Sequence, residues 1–379
     1  MTFERASLTP EEQAHYSRHL KLKGFGLEKQ LRLKKAKVLL VGAGGLGCPA
    51  GLYLAAAGVG TLGVVDFDRV ERSNLQRQIA HRVENIGQSK VESLIAAMRA
   101  INPNVTYQPH AVAVDETNVM ALIAGYDLVL DGSDNFATRF LVADACYLAR
   151  IPLLQGAVFE YGAQLALFDS GQTACYRCVF EEPPQSNVLA PCAEVGVLGV
   201  VPGTVGVMMA TEAIKYLTGL GDSIQGKLLI YKALSQSLKT LQLVKNPECP
   251  LCGEHPSIWA PQAMAVTCAA SEELMAEDLK AFELSPEAFQ SRLAQGWPLV
   301  DVREAEEFAA GHLPQAENMP LSGWDDQIWQ ARFELDEPVL LYCQKGVRSL
   351  KALQQLRSLG YQQVYSLTGG LSGWNGPLV

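Results

Sequence analysis

The feature that most constrains the fold is a glycine-rich turn close to the start of the chain. Residues 37–68 read KVLLVGAGGLGCPAGLYLAAAGVGTLGVVDFD, which predicts an apolar strand over 38–41, a turn, a helix and a second strand that ends at Asp66. The glycines in G-x-G-x-x-G spacing are Gly42, Gly44 and Gly47. They let backbone N–H groups approach a phosphate at the positive end of the helix, and an acidic residue at the second strand can bind ribose hydroxyls. The pattern predicts an α/β nucleotide-binding fold with a mostly parallel sheet, which dehydrogenases also have.

Composition narrows the classes of partner. The chain has 379 residues, of which 48% are hydrophobic, so two domains can each bury a core. Its net charge is -9 and its basic residues are scattered, which argues against binding to nucleic acid or to anionic membrane surfaces. Residues 38–65 are uncharged over a length that could span a membrane, but their glycines and changing periodicity favour strand, turn and helix. No signal peptide is evident at the N-terminus, so we expect a cytoplasmic protein.

Polar residues beyond Asp66 favour a triphosphate over a dinucleotide. Asn74 and Arg77 follow in DFDRVERSNLQRQ, and Lys90 stands at the predicted start of the next helix. An apolar strand then ends at DGSDN, which places Asp131 and Asp134 at the carboxyl edge of the sheet where ligands bind. Cations and an amide suit phosphate oxygens, and a carboxylate facing phosphates is best explained as a magnesium ligand.

The cysteines predict a metal site. The chain has nine, and two short pairs stand out, in CYRC and CPLC. Two such pairs can aim four sulfurs at one zinc ion, although the pairs lie far apart in the sequence. A redox dithiol in one pair, or four unconnected thiols, remain open alternatives. The predicted structural zinc ligands are Cys175, Cys178, Cys249 and Cys252.

The first two thirds of the chain closely resemble the MoeB/ThiF family, bacterial relatives of ubiquitin-activating enzymes. The resemblance rests on YSRHL, GAGGLGC, VDFDRVERSNLQRQ, GQSKVES, DGSDN, CYRC, CAEVGVLGVVPG and CPLC, and covers residues 1–255. It implies adenylation of the C-terminal glycine of a ubiquitin-like sulfur carrier protein, with ATP and Mg²⁺ as cofactors. It also implies a homodimer.

The resemblance assigns roles to individual residues. Asp134 would bind magnesium, Arg18 would act across the dimer interface, and Cys192 would bond to the carrier C-terminus. Cys192 has an open alternative, because bacterial members adenylate without needing that thiol. The implied nucleotide-binding residues are Gly42, Gly44, Gly45, Gly47, Asp66, Ser73, Asn74, Leu75, Gln76, Arg77, Lys90, Asp134 and Asn135, with Arg77 also catalytic.

The C-terminal part has a different character. Residues 256–283 are alanine-rich and predict a linker with a little helix. Alternating strands and helices follow over 284–379, which predicts a small α/β domain. LVDVREAEEFAAGHLPQAENMP, CQKGVRS and LTGGLSGW resemble the rhodanese family. The loop from Cys343 to Arg348 spans six residues, the length typical of sulfurtransferases, whereas the related phosphatases have one residue more.

Chemistry at Cys343 fits a sulfur carrier. The cysteine follows an apolar strand and precedes a helix, so loop N–H groups should point at its sulfur. Arg348 at the helix start would add positive charge and stabilise a persulfide anion, and Lys345 would attract an anionic donor.

Together the two parts predict one pathway. The first activates a carboxylate as an acyl-adenylate, and the second delivers sulfur from Cys343, which converts the carrier terminus to a thiocarboxylate. The sulfur donor, thiosulfate or a cysteine desulfurase, stays open, as does the identity of the carrier. Two other classes also stay open: a nicotinamide-dependent oxidoreductase with a sulfur-handling domain, and a non-catalytic scaffold for ubiquitin-like proteins.

Overall fold

The structure is a computed structural model that describes residues 7–181, 196–262, 282–374 and 376–379. Its contacts divide the chain into two compact units, Met1–Val266 and Thr267–Val379. The linker that we predict over residues 256–283 stays a prediction. Among the described residues, no helix is both long enough and apolar enough to cross a membrane.

An eight-stranded sheet organises the first unit. Its order is β3-β2-β1-β4-β5-β6-β7-β8, with parallel pairing from β3 to β5 and antiparallel pairing from β5 to β8. The mostly parallel nucleotide-binding sheet predicted from the glycine turn is therefore confirmed, whereas the antiparallel extension had no predicted counterpart. The strands are β1 Lys37–Val41, β2 Thr61–Val65, β3 Thr106–His110, β4 Leu128–Asp131, β5 Leu153–Phe159, β6 Gly162–Phe168, β7 Lys227–Lys232 and β8 Ser237–Gln242.

Helices cover both faces of this sheet. Successive side chains of a strand point to opposite faces, and β1 follows that rule. Its Val38 and Leu40 pack in one core with α4, α5 and α9, while Leu39 and Val41 pack in a second core with α6 and α7. The described helices are α1 Pro10–His15, α2 Ser17–Leu20, α3 Gly26–Lys35, α4 Gly47–Ala57, α5 Lys90–Ile101, α6 Val119–Ile123, α7 Phe136–Ala149, α8 Tyr176–Val179 and α9 Val200–Thr218.

Strand order locates the ligand-binding edge. The chain runs outward from β1 to β2 and β3, then returns to place β4 on the other side of β1. Loops after β1 and β4 therefore leave the sheet in opposite directions and open a crevice between them. The glycine turn follows β1, and Asp131 ends β4.

The second unit is a smaller parallel sheet of order β11-β10-β12-β13-β9. β12 is central and entirely buried, with Val339 and Leu341 in one core and Leu340 and Tyr342 in the other. The strands are β9 Glu283–Leu284, β10 Leu299–Asp301, β11 Glu317–Asn318, β12 Val339–Tyr342 and β13 Val364–Leu367; the described helices are α10 Pro286–Leu293, α11 Ala305–Ala309, α12 Asp326–Arg332 and α13 Val347–Ser358.

Candidate active sites

The glycine turn is built for close backbone contact. Gly42 has φ +95°, which favours glycine, and a Cβ there would lie 3.2 Å from the Gly132 carbonyl carbon. The turns after β1 and β4 therefore touch, as the shared edge requires. Gly47 begins α4, so the turn leads directly into the N-terminus of a buried helix. That arrangement suits an anion, because helix N-termini carry unpaired N–H groups.

The segment around Arg77 lies against the same turn. A Cβ on Gly45 would lie 3.6 Å from Arg77 Cγ, and one on Gly44 would lie 3.6 Å from Gln78 Nε2. Arg77 donates through Nη1 to the Ser73 carbonyl at 3.1 Å. Gln76 contacts Gly199, just before α9. The chain thus brings Arg77 to the glycine turn from a separate segment.

Asp66 is bound to the turn itself. Its Oδ2 accepts the Ala43 N–H at 2.8 Å and its Oδ1 accepts the Asp68 N–H at 2.9 Å. Lys90 starts α5 as predicted, is buried, and binds Asp68 Oδ2 through Nζ at 2.7 Å. Lys90 therefore reaches this edge of the sheet already paired with a carboxylate.

The other predicted nucleotide-binding residues are spread around this edge. Asn74 is buried, and its Oδ1 accepts the Glu71 N–H at 2.9 Å. Leu75 is half-buried, whereas Ser73 and Gln76 are exposed. Exposed Asn135 caps α7, where its Oδ1 accepts the Thr138 N–H at 2.8 Å. Arg18 is exposed on α2, and no described hydrogen bond or ion pair joins it to the glycine turn.

The loop after β4 offers oxygen ligands. Asp131 is fully buried; its Oδ1 accepts the Ser133 N–H at 2.9 Å, while its Oδ2 and the Ser133 hydroxyl have no hydrogen-bond partner among the described residues. Burial raises the pKa of the Asp131 carboxyl. Asp134 is exposed beside them. A buried oxygen without a partner and a nearby exposed carboxylate fit Mg²⁺, which takes one or two carboxylates together with phosphate oxygens.

His81 supports the glycine turn and was missed from the sequence. Its Nε2 lies 3.0 Å from the Ala43 carbonyl oxygen and its Nδ1 lies 2.9 Å from Ser93 Oγ. Because a carbonyl only accepts, Nε2 carries the proton and Nδ1 accepts from the serine. Burial lowers the pKa of His81, which favours this neutral form. Nothing in QIAHRV signals this role, since the contact depends on how α5 packs.

The four predicted zinc ligands come together. All their sulfurs lie within 4.8 Å of one another, with Cys175 Sγ 3.5 Å from Cys249 Sγ and Cys178 Sγ 3.2 Å from Cys252 Sγ. A zinc ion with bonds of about 2.3 Å would hold tetrahedral sulfurs about 3.8 Å apart, so the cluster fits. No partner outside the four is needed, which indicates a structural metal.

Cys192 lies outside the described residues.

A buried ion pair fixes one half of the cysteine cluster. Arg177, inside CYRC, donates to both Asp144 oxygens at 2.7 and 2.8 Å, and both side chains are buried. The Asn246 N–H also donates to Cys178 Sγ at 3.4 Å. α8 is therefore held against α7 independently of metal.

In the second unit, Cys343 lies at the end of the central strand. It is 1% exposed, and the Gly346 N–H donates to its sulfur at 3.2 Å. Gly346 has φ +90° and precedes α13, so it turns the chain from the loop into the helix. An open pocket of ≈ 260 Å³ lies over the loop; its lining residues are Glu307, Cys343, Gln344, Lys345, Val347 and Arg348.

Arg348 is the second residue of α13, at the start of the helix as predicted, but its positive charge is shared with a carboxylate. Its Nη1 and Nη2 donate to the two Glu307 oxygens at 2.6 and 2.8 Å. These hydrogen bonds lower the pKa of Glu307 to about 2. Glu307 could not be predicted from the sequence as the partner of Arg348. It lies on α11, which is far in the sequence from the Cys343 loop.

A serine pair lies beneath the Cys343 sulfur. Ser349 Oγ is 3.6 Å from Cys343 Sγ and donates to the Gly346 carbonyl at 3.0 Å, while Ser366 Oγ donates to Ser349 Oγ at 2.8 Å. Both serines are fully buried. Ser349 stands in the quoted CQKGVRS, but Ser366 is inside β13 and carried no local signal. The pair gives the buried sulfur polar neighbours.

These features define a two-unit α/β protein, with a nucleotide-type crevice in one unit and a cysteine loop in the other. Residues 16–251 match the ThiF family and residues 285–377 match the rhodanese-like domain. The chain belongs to the ThiF family, with a rhodanese-like domain at its C-terminal end. Both resemblances found in the sequence are therefore confirmed.

Two relatives are similar to this chain along almost its whole length. The "Probable adenylyltransferase/sulfurtransferase MoeZ" of Mycobacterium tuberculosis (strain CDC 1551 / Oshkosh) is 39% identical over 375 residues, covering 97% of this chain and 94% of the relative. The "Adenylyltransferase and sulfurtransferase MOCS3" of Drosophila yakuba is 40% identical over 382 residues, covering 97% and 84%. A crystal structure of Escherichia coli MccB with ATP has TM-score 0.57 and 22% identity over 63% of this chain and 74% of that chain, which supports the fold alone.

Proposed function

We propose that the chain is an adenylyltransferase and sulfurtransferase that converts the C-terminal glycine of a ubiquitin-like sulfur carrier protein to a thiocarboxylate. The observation that carries this proposal is the pairing, in one chain, of a phosphate-type glycine turn beside Arg77 with a loop that directs an N–H group at a cysteine sulfur. Whole-length similarity to two proteins named for both activities supports it.

Adenylation would take place at the crevice after β1 and β4. The glycine turn would hold phosphates and Asp66 the ribose of ATP, while Arg77 and Lys90 would offset charge as the carrier carboxylate attacks the α-phosphate. Asp134, assisted by Asp131, would hold Mg²⁺, which supplies further charge neutralisation when bound. Arg18 would act from the second subunit of a homodimer.

Sulfur transfer would use Cys343. Its persulfide would attack the acyl carbon of the adenylate, forming a carbon–sulfur bond as AMP leaves. The resulting acyl disulfide would be cleaved by a thiolate that forms a disulfide with Cys343 and releases the thiocarboxylate. Cys192 stays a predicted covalent carrier of the acyl group. We propose the cytoplasm as the compartment, because persulfide chemistry requires reduced thiols.

A mass measurement tests the proposal. The full chain with ATP, Mg²⁺, a persulfide donor and a carrier ending in Gly-Gly should give a carrier in which one terminal oxygen is replaced by sulfur. Cys343→Ala should abolish that product yet retain carrier-dependent exchange of pyrophosphate into ATP, because the nucleotide site is in the other unit. If neither protein catalysed exchange, the adenylation half would be wrong; if Cys343→Ala still formed thiocarboxylate, the sulfur half would be wrong.

A further inference from the structure

The Glu307–Arg348 ion pair sets the charge that a sulfur donor meets at the mouth of the Cys343 pocket. Both residues line that pocket, and their side chains are 36% and 33% exposed. The guanidinium that would otherwise attract an anion is held by both carboxylate oxygens. An entering anion therefore faces a carboxylate beside the arginine rather than a free cation.

Glu307 is anchored by more than Arg348. It is the third residue of α11, and its Oε2 also accepts the Glu304 N–H at 3.3 Å in a reciprocal capping box. Because the hydrogen bonds from Arg348 lower the pKa of Glu307 to about 2, this carboxyl is ionised near neutral pH. The carboxylate is thus a fixed negative charge on the pocket wall.

Little positive charge is left over. Lys345 is the other cation of the pocket lining; it is exposed and forms no ion pair with the residues that the structure describes. Val347, also on the lining, is 59% exposed and presents an apolar surface at the opening. With one exposed lysine and an apolar side chain at its opening, the pocket should bind a small dianion only weakly.

Resting on the function proposed above, we infer that Glu307 is a specificity-determining residue, which disfavours small dianionic donors such as thiosulfate and leaves Cys343 to be loaded from persulfides borne on thiols. The Cys343 thiolate attacks the outer sulfur of R–S–SH, a new Sγ–S bond forms, the donor S–S bond breaks, and R leaves as a thiolate. With thiosulfate the same attack releases sulfite, which keeps two negative charges beside Glu307.

Single-turnover loading of the full chain tests this inference. Formation of the Cys343 persulfide is followed by mass spectrometry with two probes, thiosulfate and the uncharged persulfide of N-acetylcysteine methyl ester. Glu307→Gln should load from thiosulfate about fivefold faster or more, because a partly exposed ionic contact changes a rate by a factor of a few and the dianion doubles the effect. Loading from the uncharged persulfide should rise by a smaller factor, because the freed guanidinium also stabilises the anion at Cys343 but meets no charge on the donor. Glu306→Gln, an exposed neighbour on the same helix that does not line the pocket, is the matched control.

Two further variants separate charge from structure. Glu307→Asp keeps the carboxylate and should show no gain with thiosulfate, even if its melting temperature falls. Adding Arg348→Gln to Glu307→Gln should remove the gain, since the freed guanidinium produces it. Equal or slower thiosulfate loading by Glu307→Gln, or equal acceleration with both probes, would overturn the inference. Wild-type protein that loads from neither probe would overturn the sulfurtransfer function itself, and this inference with it.

Discussion

At the scale of single residues, His81 links the phosphate-binding turn to pH. Its neutral ring donates to the carbonyl oxygen of Ala43, and the N–H of the same residue donates to Asp66. Lys90 on one side lowers and Asp66 on the other raises the pKa of His81, but burial dominates and lowers it. A protonated ring could no longer accept from Ser93, so acid should loosen the turn.

We predict that His81 makes the first unit less stable in mild acid. Because the folded pKa lies below the unfolded value, the unfolded state binds more protons as the pH falls through about 6.5, and stability is lost by at most about 1.4 kcal/mol per pH unit. His81→Gln keeps an N–H donor but does not titrate. Its melting temperature should therefore fall less than that of the wild type between pH 7 and pH 5.

The matched control for this prediction is His255→Gln, which changes an exposed histidine. It should follow the wild-type profile. A constant difference in melting temperature between wild type and His81→Gln across this pH range would contradict a neutral His81.

Local signals allowed many residues of the site to be predicted, and long-range contacts hid the rest. Gly42 and Asp66 could be found because their geometry is dictated by neighbours in the same strand-turn-helix unit. Glu307 and Ser366 could not, because each reaches its partner through sheet packing, and a carboxylate or hydroxyl at such a position leaves no periodic pattern.

At the scale of elements, the cysteine cluster joins segments from opposite ends of the antiparallel extension. Cys175 and Cys178 flank the start of α8 after β6, whereas Cys249 and Cys252 follow β8. A metal held by all four closes a long loop that contains α9, β7 and β8. Because only the folded chain brings these distant segments together, the metal binds the native state and not the unfolded chain, so the native state gains stability.

We predict about one zinc ion per chain, bound by this cluster. Cys252→Ser should lose the metal and lower the melting temperature, because only the native state assembles all four ligands. Cys146→Ser, which alters a buried cysteine outside the cluster, should retain the metal whatever its stability. Metal content by elemental analysis with thermal melting measures both effects; metal-free wild-type protein of unchanged stability would contradict a structural zinc.

The elements themselves were largely predictable from local pattern. The strand over 38–41 and the start of α5 at Lys90 agree with the sequence, because apolar runs and helix starts are local signals. Strands β6 to β8 were not predicted. For β8 the reason is that it is exposed along its whole length and lacks the apolar alternation that marks a half-buried strand.

At the scale of the whole molecule, Arg18 is the residue whose predicted role requires a second chain. It is exposed, and within one chain the described contacts do not bring it to the crevice. If the homodimer is the working form, Arg18 of one subunit completes the site that contains Asp134 of the other.

We predict that Arg18→Ala and Asp134→Ala each abolish pyrophosphate exchange but rescue one another when mixed. Random pairing makes half of the dimers hybrids. Each hybrid has one site in which both Arg18 and Asp134 are intact and one in which both are replaced. About a quarter of the wild-type exchange activity should therefore return. Loading of Cys343 with sulfur should be normal in both variants. Each variant refolded with itself is the control, and no recovery despite hybrids confirmed by mass spectrometry would show that Arg18 acts within its own chain.

The depth of Cys343 has a consequence for chemical selectivity. With 1% of the residue exposed, the bare thiol offers little surface, and a reagent must enter the pocket that Cys343 lines before it reacts with the sulfur. Loading adds one S–S bond of about 2 Å, which moves the transferable atom outward from the strand end toward the open pocket. The Cys343 sulfur itself therefore stays buried, and only the transferable sulfur lies in the pocket. The reactivity of this unit toward reagents in solution then changes with each round of loading and delivery.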